Sequence, residues 1–177
     1  MIPGWLVSLL TFPGVIVHEM GHLFFCRRYG LAVHRVCYFR LGNPAGYVIH
    51  EQAHTYGGGF WVSVGPLVVS SLVAVAVGFP VGTSFLHHQP MQVLHWALGW
   101  LAISVGMHAF PSTGDAKNLW SASIRAVMKG NTIALIGFPV VILIYLANLL
   151  SIIWFDAIYA LALILAVPWL MMRLGNG

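Results

Sequence analysis

Charge is what this sequence has least of. Asp, Glu, Lys and Arg make up only 7% of its 177 residues, four acidic and eight basic, where soluble domains carry ~25%. Hydrophobic residues account for 59%, and the mean hydropathy is +0.87. So few charges cannot clothe an aqueous surface, which excludes a cytosolic enzyme and a long disordered regulator. Cysteine is scarce too: Cys26 and Cys37 are the only two, too few for the disulfide framework of a secreted scaffold. Both lie in a stretch that the flanking basic residues assign to the cytoplasm, where thiols stay reduced, so no disulfide is expected. The net charge of +4 is scattered between apolar runs, as in the flanks of membrane spans, and no nucleic-acid partner is expected. The partner the composition implies is a lipid bilayer.

What is present is apolar sequence in span-sized lengths. Residues 61–81, 91–110, 131–150 and 157–172 contain no Lys, Arg, Asp or Glu, and residues 3–25 contain one charge, Glu19. At ~20 residues per spanning helix, five spans take up about 100 residues, and no soluble catalytic domain fits in the rest. The expected fold is an all-α polytopic membrane protein, a single domain over 1–177, with about five transmembrane helices. Lys and Arg collect on the cytoplasmic side. Arg27, Arg28, Arg35 and Arg40 follow the first run, Lys117, Arg125 and Lys129 the third, and Arg173 the fifth. All eight then fall on one side, predicting a multi-pass cell-membrane protein with its N-terminus outside and its C-terminus cytoplasmic. The first run resembles a signal peptide in its apolar core, but it lacks a basic leading region and carries His18 and Glu19, so it reads as a retained span.

The connections carry their own signals. Val33 to Arg40 is suited to an extended strand, Gly42-Asn43-Pro44-Ala45-Gly46 to a turn, and Tyr47-Val48-Ile49 to a second strand. They predict a small cytoplasmic-side β-hairpin between the first two spans. Residues 116–129 suit a short interfacial amphipathic helix. Gly57-Gly58-Gly59 reads as a hinge, Pro139 and Pro168 as kinks within spans, and Trp5, Trp61, Trp120 and Trp154 as interface anchors.

The first span ends in His18-Glu19-Met20-Gly21-His22, an HExxH motif. Residues four apart share a helix face, so both imidazoles can converge on one zinc ion while Glu19 takes a proton from water that the metal activates. With nine His and two Glu in the chain, chance alone gives such a motif about 0.005 times. A carboxylate in an apolar span costs ~2.5 kcal/mol or more without a partner, which marks intramembrane Glu and His as functional candidates. The plainer reading is a trio of mutually satisfied side chains inside the bundle. Zinc needs a third protein ligand. Cys26 shares the face but lies ~12 Å along the axis from His18, too far for one tetrahedral centre. Asp115 follows the third span at the end where His22 is presented; alternatively it N-caps the helix beginning at Ala116, and one residue at a helix start can do both.

On these residues the sequence resembles the site-2 proteases, a family of intramembrane zinc metalloproteases. The likeness rests on His18-Glu19-Met20-Gly21-His22, on Gly65-Pro66 opening the next span and on Pro111 to Asp115, and it covers about the first 120 residues. It implies Zn2+ held by His18, His22 and Asp115, Glu19 as general base, a site near the cytoplasmic face, and cleavage of a membrane-protein substrate within or near its transmembrane helix. PDZ and nucleotide-sensing domains found in many members have no room here. His108 stands where the family commonly has Asn, and Gly114-Asp115-Ala116 replaces Leu-Asp-Gly. His108 and Asn118 are candidate catalytic and substrate-binding donors to the oxyanion. A hairpin over 33–51 can pair with an unwound substrate by strand addition.

A second motif, His50-Glu51-Gln52-Ala53-His54, has the same pattern. On a strand, His50 and His54 lie ~13 Å apart and cannot share a metal. A helix capped by Asn43, with Pro44 at its first position, would unite them, but Gly46, Val48 and Ile49 oppose it. His34, His87 and His88 read as solvated surface, and His95 as hydrogen-bonded within the bundle. Two other functions use the first motif without hydrolysis: a membrane metal-binding or transport protein, including an inactive protease relative, and a haem carrier.

Overall fold

The computed structural model describes residues 4–175. It is mostly helical, with one two-stranded antiparallel sheet. Helix α1 (Gly4–Leu10) is followed after one residue by α2 (Phe12–Arg28). The two axes meet at 86°, so the run over 3–25 is not the single straight span expected. The break has a local cause in Pro13, which brings no N–H and sits in the first turn of α2, where proline is tolerated. Its loose backbone groups are satisfied from another helix. The Trp100 indole donates to the Leu10 carbonyl at 3.0 Å, and the Ser104 hydroxyl donates to that of Thr11 at 2.8 Å and accepts the Gly14 N–H at 2.9 Å. A sharp bend among apolar helices is stable only with such partners.

The expected hairpin is present. β1 (Val33–Cys37) pairs with β2 (Tyr47–His50), with Val36 opposite Val48 and Cys37 opposite Tyr47. Cys37 and Cys26 are both free thiols. Gly30, at φ +67°, makes the left-handed turn that ends α2 and aims the chain at β1.

The long helix α3 (Tyr56–Leu86) is the axis of the bundle. Its first turn contains Gly57, Gly58 and Gly59, the expected hinge, but the Thr55 side chain caps it by accepting the Gly58 N–H, so the glycines are helical. Helix α2 runs antiparallel to α3: Gly21 lies on Pro66, Phe25 on Gly65, and the Phe25 ring stacks on Trp61 at 5.6 Å. A Cβ on Gly21 would come within 3.0 Å of the Pro66 backbone, so the small residue between the histidines permits the close crossing. Gly65-Pro66 sits inside α3 rather than opening a span.

Helix α4 (Val93–Met107) returns antiparallel to α3, with Gly99 facing Val81 and Gly106 facing Ala74. Helix α5 (Thr113–Met128) continues in that sense, bringing Ala122 against Gly59. It buries Ala116, Leu119 and Ser123 and leaves Lys117, Asn118, Trp120 and Arg125 exposed, so it is amphipathic as expected while running on along α3. A 3-10 turn (Thr132–Ile136) leads into α6 (Gly137–Leu150), which packs Val141 and Ile144 on Ala116 and Leu119. Pro139 falls in the first turn of α6, where proline is tolerated, rather than in a helix interior. A second 3-10 turn (Ser151–Ile153) precedes α7 (Phe155–Gly175), which has Pro168 inside it.

Helix α7 runs parallel to α3, as Ser71 on Tyr159 (2.7 Å), Gly78 on Ile164 and Gly82 on Pro168 show. Its far end, with Arg173, therefore shares the Leu86 end of the bundle. Arg27, Arg28 and Lys129 lie at the other end, so the basic residues do not all fall on one side as the charge pattern predicts. By length and composition three helical segments can cross a membrane, Tyr56–Leu86, Thr132–Ile153 and Phe155–Leu174, or four with the bent pair α1–α2. The third expected span, 91–110, contains only the 15 residues of α4, ~22 Å of helix against ~30 Å of hydrocarbon.

Candidate metal centre

The helical spacing of the first HExxH motif places His18, Glu19 and His22 on the buried side of α2, each less than 9% exposed. Their orientation comes from elsewhere. His18 Nδ1 donates to the His108 carbonyl at 2.6 Å, and His22 Nδ1 donates to the Val62 carbonyl at 2.8 Å. Each neutral ring has one N–H and one lone pair, so the two carbonyls fix both tautomers and leave both Nε2 atoms as acceptors. Those two Nε2 atoms face each other at 3.2 Å. With both rings neutral, two acceptor nitrogens face each other there, an arrangement suited to sharing one cation.

The third group comes from α5. Ser112 is the N-cap and Asp115 the third residue of a capping box: Asp115 Oδ2 accepts the Ser112 N–H at 2.8 Å and the Ser112 hydroxyl at 2.7 Å. Asp115 is therefore not the N-cap residue, because the helix begins at Thr113, three residues earlier than expected. Its other oxygen, Oδ1, lies 3.5 Å from His22 Nε2. One carboxylate thus divides its oxygens between a helix end and the histidines. The Nε2 atoms of His18 and His22 and an Asp115 oxygen all lie within 4.8 Å of one another. Metal–nitrogen bonds of ~2.05 Å at the tetrahedral angle separate neighbouring ligand atoms by ~3.3 Å, which the 3.2 and 3.5 Å separations match. Two imidazoles and a carboxylate are also a donor set suited to zinc.

Glu19 borders a cavity of about 430 Å³, also lined by His18, His22, Asp115 and the hairpin. Gly46 rests on it so closely that a Cβ there would lie 2.7 Å from Glu19 Cγ. His108 lines the cavity, but its ring is tied back to the helix break: Nε2 lies 2.8 Å from Thr11 Oγ1, whose hydroxyl donates to the Val7 carbonyl. Its backbone carbonyl orients His18, a role the sequence does not display. Asn118, one turn beyond Asp115, is exposed and lines the same cavity. Cys26 is fully buried, beside Leu31 and Val62.

The second HExxH motif straddles the end of β2. Glu51 Oε1 accepts the Ala32 N–H at 3.0 Å and lies 3.4 Å from His54 Nε2, while His50 Nδ1 donates to the Glu51 carbonyl. The N–H bond from Ala32 holds the Glu51 carboxyl below its usual range, with His54 adding to it. The His54 side chain is 72% exposed. Among the described residues the motif forms no metal-holding group. His95 meets Ser84 at 3.1 Å, as a bundle histidine should.

Sequence reasoning passed over Ser112, although Ser112-Thr113-Gly114-Asp115 fits the capping-box pattern. It also passed over Thr11, Asn148, Ser151 and Asp156, which no motif marks. Compared with protein-family models, with curated proteins and with solved structures, the chain gives no match.

Proposed function

We propose that this chain is an intramembrane zinc metalloprotease of the site-2 type, cleaving a peptide bond in or near the transmembrane segment of a membrane-protein substrate. The observation that carries this reading is the pair of tautomer-fixed imidazoles, His18 and His22, with Nε2 atoms 3.2 Å apart and Asp115 Oδ1 beside them, next to a cavity-lining glutamate. These three residues would hold the ion, and zinc bound there supplies Lewis-acid polarisation of the scissile carbonyl and of water. Glu19, buried and adjacent in sequence to His18, takes the proton of the attacking water and returns it to the leaving amine. Asn118, which lines the same cavity, is the donor this reading assigns to the developing oxyanion. The cavity-facing side of β2, with Tyr47, Val48 and His50 in the lining, offers an edge to which an unwound substrate segment can add as a strand. Gly46 keeps the turn of the hairpin close over Glu19, which shields that segment from bulk water. With the Arg27 end of the bundle on the cytoplasmic face, the site opens toward the cytoplasm and the Leu86 end lies on the opposite face.

The test is cleavage of a single-span substrate by purified protein, with zinc measured in the same samples. Wild type should cleave, lose cleavage on chelation and regain it with zinc. Glu19→Gln should keep its zinc and not cleave. Cleavage by Glu19→Gln at the wild-type rate overturns the hydrolytic role. A zinc-loaded wild type that cleaves nothing would favour metal binding or transport.

A further inference from the structure

The cavity beside the histidines has a second polar wall, which hydrolysis leaves unused. It forms where α6 gives way to α7 and consists of Asn148, Ser151 and Asp156. Asn148 Nδ2 donates to the Pro111 carbonyl at 2.9 Å and to the Ile144 carbonyl at 2.8 Å, which fixes the amide and leaves Oδ1 as a free acceptor. The Ser151 hydroxyl is taken up by the Asn148 carbonyl at 2.7 Å. Asp156 accepts the Ala157 N–H through Oδ1 at 2.9 Å. Among the described residues it forms no ion pair, and no Lys or Arg lines the cavity. A carboxylate in the first turn of a helix is favoured by the helix dipole. The dipole accounts for the charge but not for its place on a cavity among apolar helices, where acidic groups mark functional positions. The free capacity on this wall is acceptor capacity, so its complement is a positively charged donor.

We infer that this wall is a specificity subsite for a cationic side chain, Lys or Arg, of the bound substrate segment. It builds on the protease reading by naming what the cavity selects. Spanning helices are flanked by Lys and Arg, so a substrate segment drawn in from a helix end brings such a side chain with it.

The test uses full-length protein and single-span peptides carrying Lys, Met or Glu at successive positions around the scissile bond. Binding is read with labelled peptide on Glu19→Gln, and cleavage with wild type. At one position the Lys peptide should bind ~10-fold more tightly than the Met peptide and be cleaved correspondingly better. Asp156→Asn should erase that ratio while leaving the Met peptide and the zinc content unchanged, and Asp156→Lys should favour the Glu peptide. An unchanged Lys-to-Met ratio in Asp156→Asn overturns the subsite. Cleavage that depends on Glu19 but shows no residue preference keeps the protease and removes the subsite. A preference in binding that depends on Asp156, without cleavage by wild type, keeps the subsite and removes the protease.

Discussion

The chain contains the same five-residue pattern twice, in two settings. His18-Glu19-Met20-Gly21-His22 lies inside a helix with all three functional side chains buried; His50-Glu51-Gln52-Ala53-His54 begins in a strand and leaves it. On the helix, four residues make about one turn and bring the imidazoles together. Off the helix the same spacing separates them, and His54 points into solvent. The glutamates differ as well. Glu19 is covered by the hairpin turn and borders the cavity, whereas Glu51 is spent on the Ala32 N–H, tying the end of the hairpin to the start of β1. A motif therefore has chemical meaning only with its secondary structure and the groups that orient its rings.

The contrast can be broken most severely at the histidines. His22→Ala removes a proposed ligand and should eliminate both bound zinc and cleavage, while His54→Ala should change neither; metal content per chain and a cleavage assay on both variants decide it. The glutamates come next. Glu19→Gln should lower the cleavage rate by ~10²–10⁴-fold at unchanged zinc content, and Glu51→Gln should remain within about twofold of wild type. A large loss in Glu51→Gln would move the chemistry to the second motif.

Smaller effects probe how the first site is oriented. Ser112→Ala strips Asp115 Oδ2 of its hydroxyl partner and should weaken metal affinity by ~10-fold or more. It should also cost ~1 kcal/mol of helix stability. Competition with a zinc chelator and thermal unfolding measure the two. The smallest effect belongs to Glu51. Its carboxyl is held below the usual glutamate value of 4.5 by the Ala32 N–H, so its contribution is present above that value and is lost as pH falls through the lower folded value. A fall in the protection factor of the Ala32 amide below pH 4.5, absent in Glu51→Gln, is the expected sign.

Much of this was legible in the residues themselves. Composition and the uncharged runs gave the apolar helices, and β-branched residues around the Gly42 to Gly46 turn gave the hairpin. The helical spacing of the first motif brought His18 and His22 together, and Asp115 proved to lie with them. The count of spans was not legible. A hydropathy run has no direction, so 131–150 and 157–172 look like a reversing pair, although Phe110 packs on both Phe155 and Tyr159 and α7 turns out parallel to α3. Nor does an apolar run show how sharply it bends: Pro13 permits a break in 3–25, but the bend is held by hydrogen bonds from Trp100 and Ser104, about 90 residues away in sequence.

By itself the sequence determined which side chains can do chemistry and which of them share a helix face, since both follow from residue type and a period of 3.6. Tertiary structure alone decided which ring nitrogens are free. That choice depends on the carbonyls of Val62 and His108, and a backbone carbonyl has no letter in the sequence. It also decided that Asp156, unmarked by any motif, shares a cavity with Glu19, because only folding sets the start of α7 across one cavity from α2.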